Sequence, residues 1–339
     1  MEVQPSSESP KPPSTCFTCQ RLNGSTFVIV EDDKWHETPF IYAKVYDSVI
    51  VLVDTGCGGA SKDPDVQLKS LRQFIETYPI PANENKPINS AGALDYVVIC
   101  THCHFDHIGG VEQFSESAIW ASACDRDFTE DENLLPSNSL CRFMGMETPR
   151  YKVTTWAADG ERVKYGPDGL DLNLTVYQTP GHAPDQLAIW DSGERVLFVG
   201  DTAYEWVPIV FPLEGSIPLY KETLLNLIKL VHDLNVDSRE SDATPSKLSS
   251  ITAPASARTH AKRVTMASGH GTSNVDAENC LKDVYDFLCQ VQKGDIEPRD
   301  WGSFRGEELV CFETDGKISF GGPKKMFLEF IREARMGAS

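Results

Sequence analysis

The segment Thr101-His-Cys-His-Phe-Asp-His107 holds three histidines and an aspartate within six positions, directly after the apolar run Tyr96-Val-Val-Ile-Cys100. Imidazole and carboxylate are the ligands that a borderline divalent cation such as zinc prefers. If the apolar run is a buried strand, the histidines lie in the turn at its carboxyl end, where α/β folds usually place their chemistry. Because side chains alternate along an extended chain, His102 and His104 should point the same way. The segment therefore predicts a metal site rather than a histidine-rich surface loop.

Three later segments also deliver metal-type side chains just past a predicted strand. His182 closes Thr179-Pro-Gly-His182 after an alternating run, Asp201 ends Val196-Leu-Phe-Val-Gly-Asp201, and His270 ends Val264-Thr-Met-Ala-Ser-Gly-His270. Each of these segments alone is more typical of a turn than of a metal ligand. Four strand ends that all supply such side chains in one chain indicate a single metal centre.

With these residues the chain resembles the metallo-β-lactamase-fold hydrolase superfamily, over roughly residues 25–290. The HxHxDH signature of that superfamily appears here as His102-Cys103-His104-Phe105-Asp106-His107. The resemblance implies an α/β fold, a four-layer αββα sandwich, with two zinc ions. By similarity, the first zinc would be held by His102, His104 and His182, the second by Asp106, His107 and His270, and Asp201 would bridge them.

The resemblance also implies a chemistry. Two divalent cations lower the pKa of the water that they share and supply hydroxide to attack a carbonyl, which one cation polarises. Asp106 would bind metal and help to transfer a proton to the leaving group. Tyr204, in Gly200-Asp-Thr-Ala-Tyr204, matches the tyrosine that hydrogen-bonds the substrate carbonyl in the lactonase-like branch. A phenol is an uncharged donor suited to a developing oxyanion.

Composition disfavours several other classes of protein. A net charge of −19 and an isoelectric point near 4.8 oppose binding to phosphate backbones, so no nucleic-acid partner is expected. The diiron oxidoreductase branch tends to place glutamate where this chain has His104, which disfavours redox chemistry. No run is long and apolar enough for a membrane span, and the polar N-terminus lacks a signal-peptide core. We expect a cytosolic enzyme with a small-molecule substrate; the oligomeric state is left open.

The substrate class has more than one interpretation. The first is a hydrolase that opens a small cyclic amide or ester, a lactam or lactone; fungal members of this fold that open γ-lactam or carbamate rings of benzoxazolinones resemble it in overall style. The alternative is a thioesterase for acyl-CoA or carrier-bound acyl groups. That alternative needs cations for the nucleotide phosphates, and near the expected mouth there are Arg126, Arg142, Arg150 and Lys152. A non-catalytic metal-binding protein is disfavoured because all seven ligand positions are intact.

The chain is expected to form a disordered N-terminal tail over residues 1–22 and one catalytic domain over residues 23–339, with a mobile Ser/Thr/Ala-rich insertion at about 237–262. Apolar patterns predict strands over 25–31, 38–46 and 49–54 and a hairpin around 313–316. They predict helices over 64–78, 219–234 and 275–291. A helix or extended lid is expected over 125–132.

Apolar segments near the metal site are predicted to form the pocket. Residues 133–150 are expected to cover it, and Trp206, Ile209 and Phe211 to pack against the substrate. Ten cysteines show no disulfide pattern. Cys57 is expected to line the pocket, and Cys103 to point away from the metals.

Overall fold

Three β-sheets and eight α-helices make up the computed structural model over the residues that it describes, 12–243 and 262–337. The strands are β1 (Phe17–Arg21), β2 (Thr26–Glu31), β3 (Phe40–Val45), β4 (Val49–Val53), β5 (Asp95–Ile99), β6 (Ala118–Ser122), β7 (Thr155–Ala157), β8 (Glu161–Tyr165), β9 (Leu170–Gln178), β10 (Leu187–Asp191), β11 (Val196–Phe198), β12 (Ile209–Val210), β13 (Thr265–Ala267), β14 (Ser273–Asp276), β15 (Arg299–Phe304), β16 (Glu307–Glu313) and β17 (Ser319–Pro323). The helices are α1 (Leu71–Thr77), α2 (Phe105–Ile108), α3 (Arg126–Glu130), α4 (Leu135–Asn138), α5 (Cys141–Met144), α6 (Ile217–Ala243), α7 (Ala277–Lys293) and α8 (Lys324–Gly337).

Two large mixed sheets form the centre of the molecule. The first has seven strands in the order β1-β2-β3-β4-β5-β6-β7, and the second has six in the order β14-β13-β11-β10-β9-β8. A third sheet of four strands, β12-β17-β16-β15, lies near the C-terminus. One of its hairpins is predicted from the sequence and is confirmed by β16 and β17, which pair with Glu313 opposite Ser319.

The four layers follow from the alternation of side chains along each strand. In β4, Val49, Val51 and Val53 face the second sheet, in a core shared with strands such as β9 and β11. Ile50 and Leu52 face the opposite way, into the core that includes α1. The outer face of the second sheet packs on α6, α7 and α8. The expected αββα sandwich is therefore confirmed.

Helix α7 shows how local sequence defines an element of an outer layer. The Asp276 side chain accepts a hydrogen bond from Asn279 N and caps the first turn, and Gly294 ends the helix with a φ of 79°. Leu281, Val284, Leu288 and Val291 are buried, at the spacing of one helical face. This matches the helix predicted over 275–291.

Three predicted boundaries were wrong. Helix α1 begins at Leu71, capped by the Ser70 side chain, rather than near Pro64. The segment 12–22, which we assigned to a disordered tail, contains β1, which pairs along its whole length with β2. Residues 237–243 of the predicted insertion belong to α6, and the part over 244–261 lies outside the described residues.

None of the helices in the described parts of the chain combines the length and the apolar character needed to cross a membrane.

Candidate metal centre

The predicted ligands meet at the carboxyl ends of four strands. His102, His104, Asp106 and His107 follow β5 in the first sheet, with the last two on the short helix α2. His182 follows β9, Asp201 lies in the 3₁₀ turn Gly200–Thr202 after β11, and His270 follows β13. Strand β11 is antiparallel to β10, which is antiparallel to β9, and it is parallel to β13. These three strands therefore end on the same side of the second sheet, next to the end of β5.

The first group of ligand-type atoms comes from His102, His104 and His182. His104 Nδ1 lies 2.8 Å from His102 Nε2 and 3.0 Å from His182 Nε2. Burial lowers the pKa of all three imidazoles, and neighbouring imidazoles add to this effect in His102 and His104. The pKa of His104 falls to about 3. Three neutral rings thus direct nitrogen atoms towards one point, which suits a divalent cation.

The second group comprises Asp106, His107, Asp201 and His270. His107 Nε2 lies 3.4 Å from Asp106 Oδ2 and 3.3 Å from Asp201 Oδ1, while His270 Nε2 lies 3.1 Å from Asp106 Oδ2 and 3.4 Å from Asp201 Oδ2. Asp201 Oδ2 is also 3.7 Å from His182 Nε2 of the first group. Asp201 therefore lies between the two groups, where a bridging carboxylate would have to be.

The charge of the second group also fits a cation. Burial by itself raises the pKa of Asp201, but His270 and His107 outweigh it and hold the pKa well below its usual range. Burial by itself lowers the pKa of His270, but Asp201 and Asp106 raise it well above its usual value. The carboxylates are thus ionised, and they hold protons on the imidazoles that a divalent cation would displace.

Two further observations test whether the residues leave room for metal. His107 Nε2 and Asp201 Oδ1 are buried and lie 3.3 Å apart, yet neither makes a well-aligned hydrogen bond among the described residues, although such atoms are nearly always paired. A Cβ atom at position 269 would collide with Asp201 Oδ1 and lie 2.7 Å from His107 Cε1, so only glycine fits beside this group. The residues present therefore fit a centre for two metal ions.

Asp54, at the end of β4, orients ligands of both groups. Its Oδ2 accepts hydrogen bonds from His107 Nδ1 at 2.8 Å and from the Thr101 hydroxyl at 2.8 Å. The same hydroxyl oxygen lies 3.1 Å from His102 Nδ1. Asp54 has a φ of 63°, a left-handed conformation that Asp and Asn tolerate better than most residues. Asp54 is not among the residues predicted for the site, because an aspartate after a strand by itself resembles an ordinary turn residue.

Replacing Asp54 by asparagine should weaken metal binding without unfolding the protein. The amide nitrogen would replace either Oδ2, which faces His107 Nδ1 and the Thr101 hydroxyl, or Oδ1, which faces the Thr101 backbone N–H. One acceptor is lost in either case, whereas the backbone conformation is retained. Changes to such outer partners typically cost about 10- to 100-fold in metal affinity or activity. Chelator competition with the purified protein measures the affinity. Asp32→Asn, which removes the same charge from an exposed ion pair with Lys62, is the matched control, and equal affinities in the two variants would contradict this role of Asp54.

A pocket of about 370 Å³ opens over both ligand groups. Its floor consists of the ligands His104, Asp106, His182, Asp201 and His270. The remaining lining residues are His36, Glu37, Phe105, Leu140, Tyr204, Val207, Pro208, Val210, Pro212 and Trp301. The wall is mostly apolar, and none of these lining residues is lysine or arginine.

Some of the wall was predicted and some was not. Tyr204 lines the pocket, with its ring centroid 5.6 Å from that of His270 and its hydroxyl 3.3 Å from Pro208 O. Of residues 133–150, Leu140 reaches the pocket. The segment after Tyr204 lines the pocket through Val207, Pro208 and Val210. The three residues predicted to pack against the substrate were wrong, because Ile209 and Phe211 are turned into the core and Trp206 is 64% exposed outside the lining.

The cysteine predictions had mixed outcomes. Cys103 is buried and belongs to neither ligand group, as expected. Cys57 does not line the pocket; it packs in a small buried cluster with Phe105 and Cys141. All ten cysteines are free thiols.

Comparison with known proteins agrees with the fold and the site. The family model of the metallo-beta-lactamase superfamily matches residues 93–236, which include six of the seven ligand-type residues, all but His270, and also Tyr204. A metallo-beta-lactamase family protein from Thermus thermophilus superposes with a TM-score of 0.54 at 16% identity, covering 82% of this chain and 85% of that one, which shows the fold.

Two curated relatives differ in how much of the chain they cover. The putative transcription factor avaE of Aspergillus versicolor is 32% identical over 311 residues, 90% of this chain and 83% of its own length. The acyl-coenzyme A thioesterase MBLAC2 of Bos taurus is 28% identical over 192 residues, 53% of this chain, and the chain spans 64% of its length. With the family match, the shared fold and all seven ligand-type side chains in place, this chain belongs to the metallo-β-lactamase superfamily and is a metal-dependent hydrolase.

Proposed function

We propose that this protein binds two zinc ions and hydrolyses a small cyclic amide or ester, a lactam or lactone such as a benzoxazolinone-type ring. The observation that carries the proposal is the pocket: about 370 Å³, apolar in most of its wall, and open directly onto both ligand groups. A compact apolar cavity with few polar groups is the usual character of a small-molecule site. Histidine and aspartate donors in this number support zinc.

The roles of the residues follow from their positions. When bound, the two cations supply Lewis acidity and a nucleophile at neutral pH. We assign to Asp106, whose Oδ2 lies 3.1 Å from His270 Nε2 on the pocket floor, the role of holding a proton for the leaving group. Tyr204 lines the wall beside His270, where its hydroxyl can donate to the substrate carbonyl after releasing its 3.3 Å contact with Pro208 O.

A thioesterase acting on acyl-CoA is the second candidate, supported by the similarity to a protein named as such. Its pocket would need cations for the nucleotide phosphates. The four basic residues considered from the sequence do not line the pocket, and Arg126 is paired with Glu130 and stacked over the Trp156 ring. A net charge of −19 would also repel CoA at long range. We therefore favour the uncharged cyclic substrates.

We further propose that the protein acts on small molecules in the cytosol rather than on nucleic acid. The name of the Aspergillus versicolor relative is that of a putative transcription factor. A charge of −19 opposes contact with a phosphate backbone, and an intact ligand set indicates chemistry. Ten free cysteines are typical of a reducing compartment.

The substrate class can be tested by measuring kcat/KM of the zinc-loaded protein on matched panels of lactams, lactones and acyl-CoA thioesters. We expect ring opening to exceed thioester hydrolysis by at least about tenfold, since a difference of about 1.4 kcal/mol in transition-state binding already gives that ratio. A reproducible preference for acyl-CoA would replace the first proposal with the second.

A further inference from the structure

The loop over residues 32–39, between β2 and β3, brings a carboxyl group to the pocket that neither the ligand set nor the proposed chemistry uses. Glu37 and its neighbour His36 both line the cavity, together with the apolar residues that follow Tyr204. The Glu37 backbone carbonyl accepts a hydrogen bond of 2.8 Å from His270 Nδ1, so this residue lies directly beside the second ligand group.

The conformation of this loop is fixed rather than open to adjustment. The Asp33 carboxylate accepts hydrogen bonds from the backbone N–H of Trp35 at 2.7 Å and of Thr38 at 2.7 Å. Trp35 Nε1 in turn donates to Met144 O at 3.0 Å. His36 and Thr38 have φ angles of 71° and 53°, although left-handed backbone is unfavourable for a β-branched threonine. Strain of this kind persists where the surroundings enforce it, often at functional sites.

The Glu37 carboxyl group does not help to hold the loop. Among the residues that the structure describes, its carboxyl group has no hydrogen-bond or ion-pair partner, unlike the neighbouring Asp33 and Glu31, which bind backbone N–H groups. A carboxyl group keeps an acceptor oxygen whether or not it is protonated. It therefore offers an acceptor, carried on a backbone that Asp33 and Trp35 hold in place, to whatever occupies the pocket.

The charge of the lining gives this acceptor a selective effect. Apart from the ligands, the lining contains one carboxyl group, Glu37, and no lysine or arginine. An anionic substituent that points away from the metal centre would meet this acid with no lysine or arginine of the lining to compensate it. A substrate that carries an N–H or O–H group would satisfy Glu37, and one that lacks such a donor would desolvate the carboxyl group without a partner, which is costly.

We propose that Glu37 is a specificity-determining residue that accepts a hydrogen bond from an N–H or O–H group next to the scissile carbonyl. The site then favours uncharged lactams and cyclic carbamates with a free ring N–H over their N-methyl analogues and over lactones. This inference rests on the proposed hydrolysis of cyclic amides and esters.

The test compares a ring N–H lactam with its N-methyl analogue on wild type, Glu37→Gln and Glu37→Leu, all loaded with zinc. We expect wild type to prefer the N–H compound by about 10- to 100-fold in kcat/KM. This is the ratio that results when one substrate forms a hydrogen bond to a charged or strongly polar acceptor and the other does not. Glu37→Leu should reduce the preference to near unity, mainly through KM. Glu37→Gln, which keeps a carbonyl acceptor, should retain part of it. Glu84→Leu, an exposed glutamate paired with Lys86, is the control.

A binding measurement separates this proposal from the proposed function. Calorimetry with an inert cyclic urea and its N-methyl analogue reports the same contact without turnover. If wild type opens neither lactams nor lactones, the proposed function fails. Tighter binding of the N–H urea by wild type, absent in Glu37→Leu, would still support the role of Glu37 as a hydrogen-bond acceptor. Unchanged discrimination in Glu37→Leu would overturn the inference. So would a loss of bound zinc in that variant, because Glu37 would then serve the metal centre.

Discussion

Replacement of Asp201 by asparagine should reduce the bound metal from two ions per chain towards one and reduce turnover by more than about 100-fold. Mutation of a residue that only hydrogen-bonds a metal ligand already lowers metal affinity or activity by about 10- to 100-fold, and loss of a bridging ligand should lower them further. Asp201 places Oδ1 3.3 Å from His107 Nε2, and Oδ2 3.4 Å from His270 Nε2 and 3.7 Å from His182 Nε2. An amide is neutral and offers one acceptor oxygen, so it cannot join two cations as a carboxylate does.

Elemental analysis after dialysis and kcat on the best cyclic substrate measure the two effects together. Asp233→Asn, which removes the same charge from an exposed pair with Lys229 on α6, should behave as wild type. If Asp201→Asn retained two ions per chain and normal turnover, the assignment of Asp201 as the bridging residue would be incorrect.

Replacement of Tyr204 by phenylalanine should leave the metal content unchanged and slow turnover by roughly 100- to 1000-fold, the usual cost of losing one donor to a developing oxyanion. The aromatic ring that packs against His270 is retained, and the hydroxyl makes just one weak contact among the described residues, 3.3 Å from Pro208 O. The loss should therefore appear in kcat rather than in stability.

Tyr220→Phe provides the matched control for this experiment. Tyr220 is also buried, and its hydroxyl donates to Thr202 O at 2.6 Å, in the turn that carries Asp201. That variant should lower the free energy of unfolding by about 1 kcal/mol and leave turnover near wild type. If Tyr204→Phe instead matched wild type in kcat, Tyr204 would be a structural residue of the pocket wall.

The ligand set could be predicted from sequence because the information is local. Each of the segments ending in His182, Asp201 and His270 combines a short apolar strand with a ligand-type residue just after it, and the HxHxDH segment follows β5 in the same way. Strand ends that share a direction lie at the same edge of a sheet, so the ligands had to be neighbours once the strands formed. The structure places them in two groups, as the resemblance implied.

The residues of the pocket wall could not be predicted from the sequence in the same way. The segment after Tyr204 is apolar on both sides, so its pattern does not say which side chains face the cavity. That choice depends on β12, which pairs with β17 more than a hundred residues later and sets Ile209 opposite Phe320. Phe211 then packs on Tyr220, with ring centroids 4.9 Å apart, while Val207 and Val210 face the pocket.

The amino-acid sequence by itself therefore determined the fold class, most of the strands that carry the site and which side chains could serve as metal ligands, since strand periodicity and ligand chemistry depend on neighbouring residues. The tertiary structure decided the remaining features of the site. It showed that Asp54 orients His107, that the strained loop between β2 and β3 brings Glu37 to the cavity, and that Trp301 completes the wall. These contacts join segments far apart in the chain, and their geometry depends on sheet register and loop conformation, which no local pattern encodes.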